Sequence, residues 1–221
     1  MIDAERPSEP MSLAAKRSYN DRDVLEALAA MFHAKCYLCE CRLTPGLTEV
    51  DHRRPQGTFP EGKFAWNNLF PACERCNKRR KKSIPPTGLA SPGDEVEKRL
   101  RQKANPVMPD LELRCVFEAV NDKDIQAEDT ATELHRLHDP NSSSTYRANL
   151  RTKEILSEIA DYFLEKVAPL QYKLLNLQQQ ERAFFGLSEL EQEFRRVVSR
   201  KAPYTMLIRS LVNSRLHSMF D

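Results

Sequence analysis

The stretch EVDHRRPQG, Glu49 to Gly57, decides how the rest of this chain is read. An acidic residue directly precedes His52, two arginines follow, and Pro55 breaks the run. By itself His52 is open to three readings: a buried structural histidine, a metal ligand, or a base that takes a proton near neutral pH. The choice depends on a second stretch, NNLFPACERCNKRRKK, Asn67 to Lys82.

That second stretch carries Cys73-x2-Cys76, and an earlier one carries Cys36-x2-Cys39. Each thiolate pair has the spacing that grips a tetrahedral ion from a tight turn. The 33 residues between the pairs exceed the ribbon spacing of roughly 15–20, so a functional insertion is expected between the two halves of one structural zinc site. Cys41 is an alternative to Cys39, which completes the motif. Buried free thiols are the plainer reading, and two separate motifs argue against it. Cys115 lies apart from the other five cysteines.

Composition limits the partners. The 221 residues are 40% hydrophobic and 30% charged, enough for a core and for a soluble chain. No apolar run reaches the length of a membrane span, and the start MIDAERPSEPMS lacks the charged-then-apolar pattern of a secretory signal. A cytoplasmic protein with reduced cysteines is therefore expected. Net charge is +2, yet His33 to Lys82 alone holds eleven Lys/Arg against five Asp/Glu, leaving the remainder acidic. A basic first part suggests a polyanion contact there.

Apolar spacing predicts a helix over 21–35, with Asp21 or Asp23 as its N-cap. A short ribbon ending at His52, a loop, and a helix from Cys73 or Glu74 follow. Residues 83–95 read as a connecting loop. LELRCVFEAVNDKDIQA reads as a hairpin with Asn121-Asp122 near its turn. Helices are expected from about Asp129, with a capping box at Ser188 and Glu191 and a last helix opened by Pro203.

Taken in order, Cys36-x2-Cys39, Asp51-His52, Asn68-Leu69 and Cys73-x2-Cys76-Asn77 resemble the HNH (ββα-metal) endonucleases over roughly Phe32 to Lys82. The resemblance implies an α+β, mainly α, fold: a zinc-bound ββα-metal module with a helical C-terminal domain. It implies a phosphodiester hydrolase in which Asp51 and Asn77 hold one catalytic Mg²⁺ or Mn²⁺, His52 is the base, and Asn68 orients the imidazole by hydrogen bonding. Arg53 and Arg54 are expected near the reacting phosphate. Lys78, Arg79, Arg80, Lys81 and Lys82 are expected on the nucleic-acid backbone. His33, His135, His138 and His217 are expected to be structural.

Beyond Lys82 the order of parts is similar to the PtuB-like nucleases of Septu and retron antiphage systems. That likeness implies an ABC/SMC-like (PtuA-like) ATPase partner, with nucleic acid, DNA in preference to RNA, as substrate and no membrane. The expected organisation is an extended segment over 1–20, a nuclease module with structural zinc over 21–105, and a hairpin plus helical region for partner docking over 106–221. Two other readings remain open. One is a free-standing restriction-type HNH nuclease; the other is a non-catalytic, zinc-stabilised nucleic-acid-binding module.

Overall fold

Val24, Leu28 and Met31 recur at helical spacing, and they build the first long element, helix α2 (Arg22–Met31). All three are buried, with Val24 and Leu28 fully so, and each contributes about 1.5–3 kcal/mol by leaving water. Asp21 occupies the N-cap position but makes no side-chain cap bond. Asp23 instead accepts from the Ser12 amide at 3.0 Å and so ties on a short helix α1 (Met11–Ala14). The computed structural model describes residues 1–44, 46–80, 95–107, 112–142, 146–179 and 187–220. The expected loop over 83–95, apart from Glu95, lies outside them.

Residues 1–20 are not simply extended. They contain α1, and Met1, Ile2 and Leu13 are buried at 1–2% exposure. These scattered apolar positions are enough to dock a segment whose overall composition is polar.

The ββα arrangement follows. Strand β1 (Glu49–His52) pairs antiparallel with β2 (Leu69–Ala72), Glu49 opposite Ala72 and His52 opposite Leu69. Helix α3 (Glu74–Arg79) starts at Cys73, which serves as its N-cap. Phe70 of β2 lies 4.9 Å from the Tyr37 ring and 6.2 Å from the Phe32 ring, centroid to centroid, so one aromatic cluster joins α2, the cysteine turn and the ribbon.

The expected hairpin is placed differently. Helix α4 (Val96–Arg99) runs directly into β3 (Leu100–Val107), which pairs with β4 (Glu112–Ala119). ELRCVFEA, Glu112–Ala119, is thus only the second strand, and Asn121-Asp122 lead into α5 (Ile125–His138). The strand that pairs with β4, β3, lies upstream of the expected segment and is entered straight from a helix. β3 also runs across the boundary expected at 105/106. The described residues hold two two-stranded sheets in a mainly helical α+β chain.

Helix α6 (Tyr146–Tyr162) continues through a π-helical turn, Phe163–Val167, into α7 (Ala168–Gln179). Pro169 lacks the N–H that would bond the Glu165 carbonyl, and a widened turn there absorbs the mismatch. Ile155, Ile159 and Val167 are buried along this rod, whereas Leu150 is 41% exposed. Ser188 lies inside α8 (Leu187–Val197) and so is not its cap. The last α-helix, α9 (Thr205–Leu211), begins two residues after Pro203, behind a left-handed Tyr204, and the chain then tightens into a 3-10 turn over Ser214–Met219.

Two cations, Lys35 buried and Arg79 half-buried, join the cysteine region to the later helices. The Lys35 ammonium donates to Arg200 O at 2.6 Å, Ala202 O at 2.9 Å and Thr205 Oγ1 at 3.0 Å. Arg79 reaches Leu137 O, Arg136 O and the Ser142 and Thr152 hydroxyls. His135 Nε2 accepts from the Phe117 amide at 3.1 Å, and His217 Nε2 lies 3.0 Å from Val212 O; both are structural contacts.

His138 is buried, donates Nδ1–H to Leu134 O at 2.8 Å, and leaves Nε2 without a partner among the described residues. Burial, then the nearby Arg75 cation, pushes its pKa from 6.5 down to about 4. The unfolded chain therefore takes up a proton near pH 6.5 that the folded chain refuses until about pH 4. Stability falls as pH drops through that window, by about 3 kcal/mol for this group at most. Urea unfolding of wild type and His138→Leu, followed from pH 7 to pH 4, is expected to show the shallower loss in the variant. Identical pH slopes would assign the effect to other groups.

Candidate active site

The cysteines form a knot. The Cys36 amide donates to Cys41 O at 3.0 Å and the Glu40 amide to Cys36 O at 2.9 Å, with Glu40 in the left-handed region at φ 59°. This knuckle meets the start of α3, where Cys73 Sγ accepts from the Cys76 amide at 3.4 Å. Cys36, Cys39, Cys73 and Cys76 bring their sulfurs within 4.8 Å of one another, and Cys39 and Cys73 are 3.8 Å apart. A tetrahedral zinc with bonds of about 2.3 Å sets sulfurs about 3.8 Å apart, so the donor set fits zinc.

Charge agrees with geometry. Hydrogen bonds from neighbouring thiols, Cys36 first, push Cys39 well below its ordinary value and Cys73 down to about 4. Burial, first among several causes, keeps Cys36 well above its own. Two sulfurs thus favour the thiolate, and a dication supplies what the others need to lose their protons. Arg75 adds a cation at the edge, Nη2 lying 3.8 Å from Cys76 Sγ. Cys41 stays outside the four, and Cys115 is buried in β4, where burial pushes it up to about 12.

The knot fixes α3 against β1. Side chains alternate along a strand, so Glu49 and Asp51 share one face, and α3 with its C-cap residue presents Asn77 and Arg80 to it. Asn77 Nδ2 donates to Glu49 Oε2 at 2.6 Å. Asp51, 2% exposed, is held by Tyr37 OH at 2.5 Å and by Arg80, whose Nη2 donates to Oδ1 at 3.0 Å. Arg80 Nε lies 2.7 Å from Oδ2 but finds no acceptor along its own N–H, so that contact is held by charge. Burial pushes the Tyr37 phenol well above its ordinary value, and the Asp51 carboxylate adds to the shift.

His52 faces a cleft of about 440 Å³ that Tyr19, Asp51, Gln56, Asn77 and Arg80 also line. Its Nε2 lies 3.0 Å from Lys63 O. A carbonyl only accepts, so Nε2 carries the hydrogen and Nδ1 is the basic nitrogen. The Gln56 amide nitrogen is 3.2 Å from both ring nitrogens, of which Nδ1 can accept from it, and the Tyr19 ring stands edge-on to the imidazole with centroids 4.7 Å apart. Burial lowers the His52 pKa, partly offset by the Lys63 carbonyl and Asp51. The imidazole is therefore neutral at neutral pH.

Several expected roles change. Asn68 does not bond the imidazole. Its Oδ1 accepts from the Arg54 amide at 2.7 Å, and its Nδ2 donates to Arg54 O and Gly62 O at 3.1 Å. It clamps the loop that delivers the Lys63 carbonyl, and so acts on His52 through the backbone. Arg79 and Arg80 are not backbone-phosphate ligands in this arrangement. Arg79 is the brace to α5 and α6, and Arg80 also donates to His52 O at 2.5 Å and Arg53 O at 2.9 Å. Lys78 is exposed and paired with Glu74. Arg54 is exposed, with its guanidinium 3.6 Å from the Phe59 ring centroid. Lys81 and Lys82 lie outside the described residues. Sequence reasoning missed Tyr19, Tyr37, Glu49 and Gln56. Only Glu49 carried a signal, the two-residue strand period that puts it on the Asp51 face.

Metal analysis of purified protein is expected to find one zinc per chain. Cys73→Ser should lose the ion and unfold the ββα region, because a structural site is coupled to folding, whereas Cys115→Ser should retain it. A zinc-free, fully folded wild type would overturn the assignment.

Residues 36–83 match the family model described as HNH endonuclease. The chain is 33% identical over 95 residues to Septu protein PtuB of Bacillus thuringiensis, covering 36% of this chain and 37% of the relative. It is also 33% identical over 97 residues to Septu protein PtuB of Bacillus mycoides (strain KBAB4), covering 35% and 33%. The match therefore spans about a third of the length of these curated relatives. No solved structure matches significantly. Among the described residues no helix is long and apolar enough to cross a membrane. By these matches residues 36–83 form an HNH endonuclease domain, set in a chain similar to Septu protein PtuB over about a third of its length.

Proposed function

We propose that this protein is a cytoplasmic, metal-dependent endonuclease that hydrolyses phosphodiester bonds of nucleic acid, DNA in preference to RNA, as the nuclease of an antiphage system. The observation that carries the reading is that Asp51, His52 and Asn77, distant in sequence or on different strand faces, line one cleft.

His52 Nδ1 takes the proton of the attacking water. The Nε2–H···O bond to Lys63 fixes the tautomer and steadies the imidazolium that forms. Asn68 holds the loop bearing Lys63 in register. Asp51 and Asn77 offer hard oxygen donors to the cleft, the set that suits Mg²⁺ or Mn²⁺, although Arg80 holds the Asp51 charge in the present arrangement. Such an ion supplies Lewis-acid polarisation of the phosphate and charge neutralisation as the leaving oxygen departs. Arg53 and Arg54, next along the chain from the base, supply cationic charge to the substrate backbone.

Similarity to proteins named Septu protein PtuB supports the antiphage role. An ABC/SMC-like (PtuA-like) ATPase is the partner this implies, docking on the helical region after β4. A second reading, a zinc-stabilised binding module without catalysis, is favoured by one observation: the Asp51 carboxylate is already bound by Tyr37 and Arg80.

Plasmid nicking with Mg²⁺ or Mn²⁺ separates the two. Wild type is expected to cut, and His52→Ala to cut about 10²–10⁴ times more slowly with its zinc and fold intact. Full activity of the folded variant would remove the base role from His52. Absence of cutting by wild type, with either ion and with the ATPase present, would favour the binding module.

A further inference from the structure

The geometry points to Glu49 as a positioning residue that sets which end of the Asn77 amide faces the cleft. The inference rests on the proposed metal-dependent reading and concerns how this chain prepares one of its oxygen donors. A primary amide presents a donor nitrogen at one corner and an acceptor oxygen at the other, so a ligand asparagine is useful to a cation in only one of two orientations. Rotation about its last bond exchanges them.

Glu49 removes that ambiguity. A carboxylate accepts and does not donate, so only the Nδ2 end of Asn77 is favourable against it, and the contact is made at 2.6 Å. Asn77 lines the cleft with Asp51 and His52, and Glu49 lies outside that lining. With Nδ2 committed to Glu49, Oδ1 is the end left for the cleft. The reversed amide would set Oδ1 against the carboxylate at hydrogen-bond distance, two partial or full negative charges with no proton between them. The strand period that puts Glu49 beside Asp51 on one face of β1 is what brings it opposite Asn77. The same face thus provides an oxygen donor at Asp51 and, two residues earlier, the group that orients the other donor.

A plain surface hydrogen bond or a simple charge effect of Glu49 is separable from orientation by a double-mutant cycle. Mn²⁺ binding is measured by electron paramagnetic resonance on the zinc-loaded full chain, with zinc content and Tm as fold controls. Glu49→Gln is expected to weaken Mn²⁺ binding by about 10–100-fold, the usual range for groups that orient a metal ligand. Asn77→Asp replaces the two-ended amide with a carboxylate whose two oxygens are equivalent, so nothing remains to orient. In that background Glu49→Gln is expected to leave binding unchanged or to strengthen it by relieving repulsion. An equal loss in both backgrounds would show that Glu49 acts through charge alone and would overturn the inference. No loss in either would also overturn it. Wild type whose Mn²⁺ binding is absent, or indifferent to Asp51→Ala and Asn77→Ala, would overturn the metal-dependent reading itself, and the role of Glu49 with it.

Discussion

Four sulfurs gathered within 4.8 Å are the constraint on which the rest of the ββα region depends. The ribbon between the two cysteine pairs has strands of four residues each, too short to stand alone in water. A structural zinc held by these sulfurs would contribute on the order of 10 kcal/mol, far more than that ribbon can collect from its own burial. The four-cysteine cluster also closes the 33-residue insertion at both ends, so every residue from the knuckle to the start of α3 inherits a fixed frame. His52 and Asn77 meet across one cleft because the knot holds the strand and the helix at a set separation.

Within that frame, the arginines of α3 are used as braces. A buried ion pair such as Asp51–Arg80 gains little net stability, since desolvating both charges offsets most of their attraction. Its effect is directional. Arg80 binds the carboxylate and two carbonyls at the end of β1, which pins the backbone on either side of His52. Tyr37 holds the same carboxylate from within the knuckle. The cysteine knuckle and the cleft are thus joined by a hydrogen bond as well as by the chain.

The cysteine knot, the strand ending at His52 and the helix starting at Cys73 were legible in the sequence, because metal spacing and N-capping are local signals. The fates of Arg79 and Arg80 were not. A run of five cations reads as a solvated or polyanion-binding face, and the carbonyls that bind Arg79 lie 57 and 58 residues away. Asn68 bonds Arg54 and Gly62 rather than the imidazole, and the loop fold that gives it those partners has no periodic signature. The β3–β4 hairpin was misplaced for a related reason: β3 follows Arg99 without a turn residue to announce it, and half of its length is polar.

Lys35 sits next to the first cysteine of the cluster and donates to acceptors at residues 200, 202 and 205. During synthesis the knuckle and the ribbon emerge long before those carbonyls exist. A partial chain that closed the knot would bury an ammonium with only Glu40 beside it, at the desolvation cost that an incompletely satisfied charge carries. Loop closure over that separation is slow relative to the local ribbon. The cysteine region therefore completes the solvation of its own cation only when the segment over residues 200–205 is in place, which makes the early module and the late helices one cooperative unit.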